Sequence, residues 1–334
     1  MNNDAPSAAG IDVAKATLSV CVRHPDGSER ALTLRNIEAD IKRELPPLLA
    51  GCPGKVVMES TGHYQWRAAL LLTDAGIDVR IVNPILAKQY TAGNIRKVKT
   101  DPADAKGLCR MALSADNLPD RFEGSREALR IRKKIATIAS LKHSLQAMRM
   151  SLASLAEARE ILGSEASPAE EAVLASVKEL KRAVAKLEAE VVADTEAAKH
   201  DELDRFAAIP GVSRVTASIA LAWFSGRPAM NPKSWVAFAG LDVSSRESGA
   251  WHGQCHLTKR GNSYLRARLF SAAWGAVMHD DETKAYYERL RKEGRPYVES
   301  LIIIARKIVR TMFIMMRDKS NFDPEKFMLK VVPA

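Results

Sequence analysis

Apolar positions in the first ~115 residues alternate, or run in short blocks closed by turn residues, the pattern of strands interleaved with helices. Ile11 to Val13, Thr17 to Arg23 and Glu29 to Leu34 read as three strands. His24-Pro25-Asp26-Gly27 reads as the hairpin turn between the second and third. A helix over Ile37 to Leu49 follows, then a strand at Lys55 to Met58 and a helix at Gln65 to Ala75. A last strand, Asp78 to Val82, stops at Asn83-Pro84. Three hairpin strands followed by alternating helix and strand is the order of a ribonuclease-H-like sheet. Sugar kinases and actin-like ATPases share that order, so it decides no function.

From Ser125 to His200 the periodicity becomes helical, in a stretch rich in Ala, Leu, Glu, Lys and Arg. Leu141, Leu145, Met148, Leu152 and Leu155 repeat at spacings of four and three, a coiled-coil seam. Gly163 to Pro168 interrupts it, and Leu174, Val177, Leu180, Val184, Leu187 and Val191 resume it. The pattern predicts a long antiparallel hairpin of two helices. Asp201 to Lys330 reads as a compact helical region. Its most apolar stretch, Leu301 to Met316, is broken by Arg306, Lys307 and Arg310, which makes it an amphipathic core helix and no membrane span. The fold class is α/β plus all-α, in three segments at 1–120, 121–200 and 201–334.

With 334 residues the chain can build two or three such cores. Charge changes the picture more. The excess of 50 basic over 40 acidic residues, a net +10, points to a polyanionic partner such as DNA or RNA, which Lys and Arg bind by displacing condensed counterions. The cluster Arg126, Arg130, Arg132, Lys133 and Lys134, at the base of the hairpin, either follows a phosphate backbone or is a solvated face. Cys21, Cys52, Cys109 and Cys255 have no paired spacing and read as reduced thiols. Met1 to Ser7 is short and polar, unlike a signal peptide. A cytoplasmic protein, nucleoid-associated when bound to DNA, is the expectation.

Four carboxylates carry the chemistry. Asp12 follows the apolar stretch Ala8-Ala9-Gly10-Ile11, and Glu59 ends the run Val56-Val57-Met58. Asp101 and Asp104 lie three residues apart at a helix start, so both face one way. Carboxylates gathered from strand ends and a helix repel one another unless a divalent cation holds them, usually Mg²⁺, with Mn²⁺ as the alternative. The four therefore read as a metal-dependent phosphodiester site.

Further along, Ile209-Pro210-Gly211-Val212, before the helix-like run Ser213 to Trp223, resembles a helix-hairpin-helix turn. There the backbone at Gly211 and the next helix start offer N–H groups to a DNA phosphate without reading bases. A Gly-punctuated loop flanked by helices spans Phe238-Ala239-Gly240-Leu241, Glu247-Ser248-Gly249 and Leu257-Thr258-Lys259-Arg260-Gly261. Ser248 presents a hydroxyl where Gly249 lets a phosphate approach. Ser244 and Ser245 are rivals for that role, and a plain turn is the structural alternative. Lys259, Arg260, Arg266 and Arg268 are suited to hold a scissile phosphate. His252, Cys255 and His256 lack a second Cys/His pair and read as loop chemistry or packing.

Six pieces occur here in one order: Gly10-Ile11-Asp12-Val13-Ala14-Lys15, Glu59-Ser60-Thr61-Gly62, Val82-Asn83-Pro84, Lys99-Thr100-Asp101-Pro102-Ala103-Asp104-Ala105, Ile209-Pro210-Gly211-Val212, and Phe238-Ala239-Gly240-Leu241 with Ser248-Gly249. Together they resemble the DEDD transposases of bacterial insertion sequences (the insertion sequence 110 family), described as RNA-guided recombinases. The resemblance implies a RuvC-like N-terminal domain, a coiled-coil insert and a C-terminal transposase domain carrying a catalytic serine. It carries the metal-binding acids onto Asp12, Glu59, Asp101 and Asp104 and the nucleophile onto Ser248. It also implies donor and target DNA as substrates, a structured bridge RNA that selects them, and a homodimer or homotetramer. In that assembly the acids of one protomer work with the serine of another.

Two rivals stay open on the residues alone. One is a junction-resolving endonuclease that uses metal-activated water. The other is a non-catalytic nucleic-acid-binding scaffold. An ATPase lacks support because no Gly-rich phosphate loop is present.

Overall fold

Ala9, Ile11 and Val13 alternate with Gly10 and Asp12 along the first strand, and this alternation sorts the N-terminal layers. The computed structural model describes residues 7–50, 52, 54–60, 62–91, 101–114, 118–225, 231–244, 247–248, 251–252 and 256–327, with the backbone alone at 85, 89–91, 247–248 and 251–252. Its contacts divide the chain into two units, Met1–Leu129 and Arg130–Ala334.

In the first unit β1 (Ala8–Val13), β2 (Thr17–Arg23) and β3 (Glu29–Arg35) form an antiparallel meander. The turn between β2 and β3 is closed by His24 N–H to Ser28 O (3.0 Å) and by the Asp26 carboxylate accepting from Ser28 N–H (2.8 Å), with Gly27 at φ +86°. There follow α1 (Glu38–Leu49), β4 (Val56–Glu59), α2 (Trp66–Asp74), β5 (Val79–Val82), α3 (Pro84–Thr91) and α4 (Asp101–Ser114). The sheet order is β3-β2-β1-β4-β5, with β1, β4 and β5 mutually parallel. On one face Ala9, Ile11, Val13, Val56 and Met58 pack with Ile41, Leu45 and Leu49 of α1 and Ala68 and Leu72 of α2. On the other, Val57 and Val82 meet Ala87 of α3 and Leu108 and Met111 of α4. The expected ribonuclease-H-like strand order is present. One element is additional: Asn83-Pro84 both ends a strand and starts α3, because Pro, lacking an N–H, is tolerated at a first helical position.

α5 (Arg126–Leu162) and α6 (Pro168–Ala207) are two long helices. Ser167 and Glu170 form a reciprocal capping box at the start of α6. Lys134 reaches Glu190 (3.0 Å) and Asp194 (2.8 Å), Lys142 reaches Glu188 (2.6 Å) and Arg159 reaches Glu170 (3.4 Å), a descending series that makes the pair antiparallel. Ile131, Ile135, Ile138, Val184 and Val191 are buried at its root, whereas Leu155, Leu162 and Leu174 are exposed towards its tip. The root of the hairpin shares one core with the C-terminal helices.

That remainder comprises α7 (Arg214–Phe224), α8 (Pro232–Phe238), β6 (Val243–Ser244), β7 (Glu247–Ser248), β8 (Trp251–His252), β9 (His256–Leu257), α9 (Ser263–His279), α10 (Asp281–Lys292), α11 (Tyr297–Asp318) and α12 (Pro324–Phe327). Ser213, Asn231, Asn262 and Asp280 cap α7, α8, α9 and α10, each accepting a backbone N–H three residues on. Trp235 stacks on Phe224 (ring centroids 4.2 Å apart) and receives the edge of Phe313 (5.2 Å), which ties α7 and α8 to α11. α11 matches the expected amphipathic core helix, and no described helix is long and apolar enough to cross a membrane.

Candidate active site: an acidic edge and a serine-bearing hairpin

Gly10 explains how the acids come together. A Cβ built there would lie 2.2 Å from both Ala105 O and Cys109 N, so α4 crosses β1 with backbone against backbone. Cys21, Ala105 and Cys109 fill the rest of that contact with small side chains. Gly10 and Asp12 lie on the same face of β1, and Asp101 stands one helical turn before Ala105. The crossing therefore sets how closely Asp101 and Asp104, in the first turn of α4, approach Asp12. Glu59 arrives from the adjacent parallel strand. β1 and β4 pair as Gly10↔Val57 and Ile11↔Met58, so Asp12 and Glu59 emerge side by side at their C-terminal ends, where open α/β sheets bind ligands. The ion pair from Lys106 to Glu29 (2.5 Å) anchors α4 to β3 from the outer side.

The electrostatics agree with that gathering. Burial pushes the Asp12 carboxyl up to about 6, and the charges of Asp101, Asp104 and Glu59 push the same way, against one backbone hydrogen bond from Val13. As placed, no three His, Cys, Asp or Glu side chains among the described residues close round a single point that could hold a metal ion. The carboxylates are gathered but not closed, the arrangement expected of like charges. All four donors are oxygens, with neither thiol nor imidazole, a set that fits a hard cation such as Mg²⁺ or Mn²⁺.

The segment read as a Gly-punctuated loop is a short hairpin. β6 pairs with β9 (Val243↔Leu257, Ser244↔His256), and β7 with β8 (Glu247↔His252, Ser248↔Trp251). Ladders of two residues are too short to leave an alternation in the sequence, which is why they read as a loop. Sequence reasoning also missed what closes the neck. Thr258 donates its backbone N–H to Asp242 O (3.0 Å) and its hydroxyl to the Asp242 carboxylate. Gly240, at φ +68°, and Gly261 bring the two strands of the neck into contact; a Cβ on Gly261 would meet Phe238 O at 2.1 Å. The backbone of Ser248 lies in β7, while its side chain, Ser245, Gly249 and Cys255 lie outside the described residues, as do Lys99 and Thr100. Ser244 is described, and it is exposed on β6.

The expected phosphate contacts divide. Arg126 pairs with Asp74 (3.2 Å), and Lys134 is held by Glu190 and Asp194 of the hairpin, so both have structural partners. Arg130 and Lys133 are exposed, as are Lys259, at φ +53°, and Arg260. Arg266 donates to Gly261 O (3.3 Å) and Arg268 to the Thr216 hydroxyl (3.3 Å). Gly211 has a packing reason for being glycine. At φ +76°, a Cβ there would lie 2.1 Å from Ala272 O and 2.3 Å from Ala276 N of α9.

The chain resembles known proteins. The model of the DEDD transposases of the IS110 type, described as a transposase, matches residues 9–158. A second, described as "Transposase IS116/IS110/IS902 family", matches residues 203–288, and between them they take in more than half of the chain. The chain belongs to the IS110 family of insertion-sequence transposases. The insertion element IS110 uncharacterized 43.6 kDa protein of Streptomyces coelicolor is 30% identical over 152 residues, covering 45% of this chain but only 36% of that relative. A probable family 20 transposase of Pseudomonas aeruginosa is 23% identical over 349 residues, covering 95% of this chain and 99% of its own. Among solved structures, Thermus thermophilus RuvC in complex with a Holliday junction substrate is 17% identical, covering 30% of this chain and 88% of its own, at a TM-score of 0.24.

Proposed function

We propose that this protein exchanges DNA strands through a covalent phosphoserine intermediate, with one or two Mg²⁺ ions held by Asp12, Glu59, Asp101 and Asp104. The observation that carries the reading is the convergence of those four carboxylates, from two strand ends and a helix start, against the cost marked by the raised Asp12. Mg²⁺, or Mn²⁺ in its place, supplies polarisation of the scissile phosphate and charge stabilisation for the leaving oxygen. Ser248 Oγ attacks phosphorus and gives up its proton to a neighbouring base. The Oγ–P bond forms as the bond from phosphorus to a deoxyribose oxygen breaks, and that oxygen takes a proton. The phosphoserine ester keeps the bond energy, so the reverse attack by a DNA hydroxyl rejoins strands without ATP. The neck at Asp242, Thr258, Gly240 and Gly261 gives the hairpin carrying Ser248 a fixed base.

DNA is the proposed substrate, supported by family membership and by the net charge of +10. Arg130, Lys133, Lys259 and Arg260 are the exposed cations offered to its phosphates, with the Gly211 turn as a backbone contact. A structured bridge RNA would choose the donor and target, because pairing can carry sequence while protein contacts carry affinity. The working assembly is a homodimer or homotetramer in which acids and serine come from different protomers. Trapping a protein–DNA adduct tests the chemistry. The adduct is expected to vanish in Ser248→Ala and to survive in Ser244→Ala and Ser245→Ala. Free 5′-phosphate ends with no adduct in the unaltered protein would overturn the serine mechanism. Sequencing RNA that co-purifies tests guidance, and recovery of no discrete species would remove the bridge RNA.

A further inference from the structure

α11 carries a second concentration of charge, of the opposite sign, that the acidic edge and the serine hairpin do not use. Lys307 and Arg310 lie three residues apart on one face of that helix, and Arg289 of α10 stands beside them. Lys307 Nζ sits 4.7 Å from the centroid of the buried Tyr286 ring, and Arg289 Cζ sits 5.0 Å from it. Arg289 and Arg310 are exposed, while Lys307 is half-buried. Among the described residues no carboxylate lies within ion-pairing distance of any of the three, although this chain pairs cations with acids repeatedly elsewhere. Glu293, the acid whose charge is felt at Tyr286, is itself engaged by Arg295 (3.7 Å). Burial, with Arg289 and Arg310 adding repulsion, pushes the Lys307 ammonium below the usual lysine range. A ring contacted by two cations softens their repulsion but does not neutralise it.

We propose that Arg289, Lys307 and Arg310, arranged around Tyr286, form a binding site for the phosphodiester backbone of a nucleic acid. Three cations with no acid present many N–H donors around an uncompensated positive charge, with two guanidiniums suited to bidentate contact with phosphate. A phosphate entering between them would replace the repulsion with charge-assisted hydrogen bonds. The site stands on α10 and α11 and uses neither the four acids nor Ser248, so its failure would leave the catalytic reading untouched.

The test measures binding of a fluorescent mixed-sequence DNA duplex and of single-stranded RNA across a salt series. Lys307→Gln with Arg310→Gln is compared with the unaltered protein and with Arg295→Gln, which removes an exposed arginine already paired to Glu293 and Glu299. The double variant is expected to bind about tenfold more weakly at moderate salt. Its log–log salt slope should be shallower by about 0.9 per lost contact on duplex DNA, or about 0.7 on single-stranded RNA. The probe that shows the loss identifies the nucleic acid, and a loss on both supports a general backbone site. An equal change in Arg295→Gln, or none in either probe, overturns the proposal. Phenylglyoxal footprinting of the unaltered protein is independent of variant folding. Arg289 and Arg310 should be protected when the nucleic acid is bound, and reactivity unchanged by either probe also overturns the site.

Discussion

The acidic edge of the first unit and the basic cluster of the second are near mirror images built by different means. Each gathers like charges with part of the cluster buried; Asp12 is pushed up to about 6 and Lys307 is pushed down. The acids have short side chains, so their meeting is decided by the backbone: two adjacent strand ends and a helix held against β1 at Gly10. The cations have long stems, so two neighbouring helices can bring them together over Tyr286 without any close backbone approach. A cluster of carboxylates should therefore be fragile to a methyl group far from any charge. A cluster of lysine and arginine should yield only to changes in the charges themselves.

The largest expected effect breaks the first half of that contrast. Gly10→Ala places a methyl 2.2 Å from two backbone atoms of α4 that no rotamer change can clear. The cost is about 3 kcal/mol of unfolding free energy, read as a lower urea midpoint. The stabilisation by Mg²⁺ should disappear with it, because Asp101 and Asp104 move away with the helix. Gly211→Ala is the matched control, equally crowded against α9 and at positive φ. It should destabilise the protein at least as much yet leave the gain from Mg²⁺ intact. If Gly10→Ala keeps the Mg²⁺ response, the crossing does not set the acid geometry.

Asp12→Asn removes the charge while keeping the shape. An acid whose folded pKa lies above its ordinary value of 3.8 is favoured in its protonated form by the fold. Its stabilising contribution is present below about pH 4, and it is lost as pH rises through about 6. Asparagine resembles the protonated form. Without metal at about pH 8, Asp12→Asn should therefore be more stable than the unaltered protein, by about 1 kcal/mol once solvent screening of a half-exposed group is allowed for. Excess Mg²⁺ should reverse the order, since a ligand at a hundred times its Kd adds about 2.7 kcal/mol only where it binds. Calorimetry with and without Mg²⁺ across that pH range reads both. A variant less stable than the parent without metal at high pH would show that Asp12 is not strained by its neighbours.

How much of this was legible in the sequence follows from the same contrast. β2 matches its sequence reading end to end, and β1, β3, β4, β5, α1 and α2 differ by a few residues at most, because alternation and turn residues are local signals. The gathering of the four acids was legible because they sit at or within a turn of element ends that the pattern marks. Gly10 stood in plain view beside Asp12, but its role needed the partner helix; small residues at 105 and 109, four apart on α4, were the available hint. Gly211 carried a second role that the sequence did not mark: a Pro-Gly turn suggests a backbone phosphate contact, and the structure adds a packing reason for the glycine that depends on α9. The Asp242–Thr258 neck joins residues sixteen apart through ladders too short to show a period. The basic cluster joins Arg289 to Lys307 and Arg310 across a helix turnaround. Charged residues in helical periods read first as solvated faces.

The smallest effect tests the second half of the contrast. Lysine with a folded pKa below its usual value is disfavoured in its charged form, a cost present wherever Lys307 is protonated and relieved as pH rises towards 10.5. Lys307→Met removes the charge and keeps an unbranched side chain whose sulfur can stay against the Tyr286 ring. At low ionic strength and neutral pH the variant should be more stable by about 0.5 kcal/mol, the discounted cost of a half-exposed like-charge contact. The gain should fade as salt is raised to about 0.5 M, because screening already relieves the parent protein. The variant therefore separates charge from packing. A gain that survives high salt would mean Lys307 was merely poorly packed, and a loss at low salt would mean that its contact with Tyr286 outweighs the repulsion from Arg289 and Arg310.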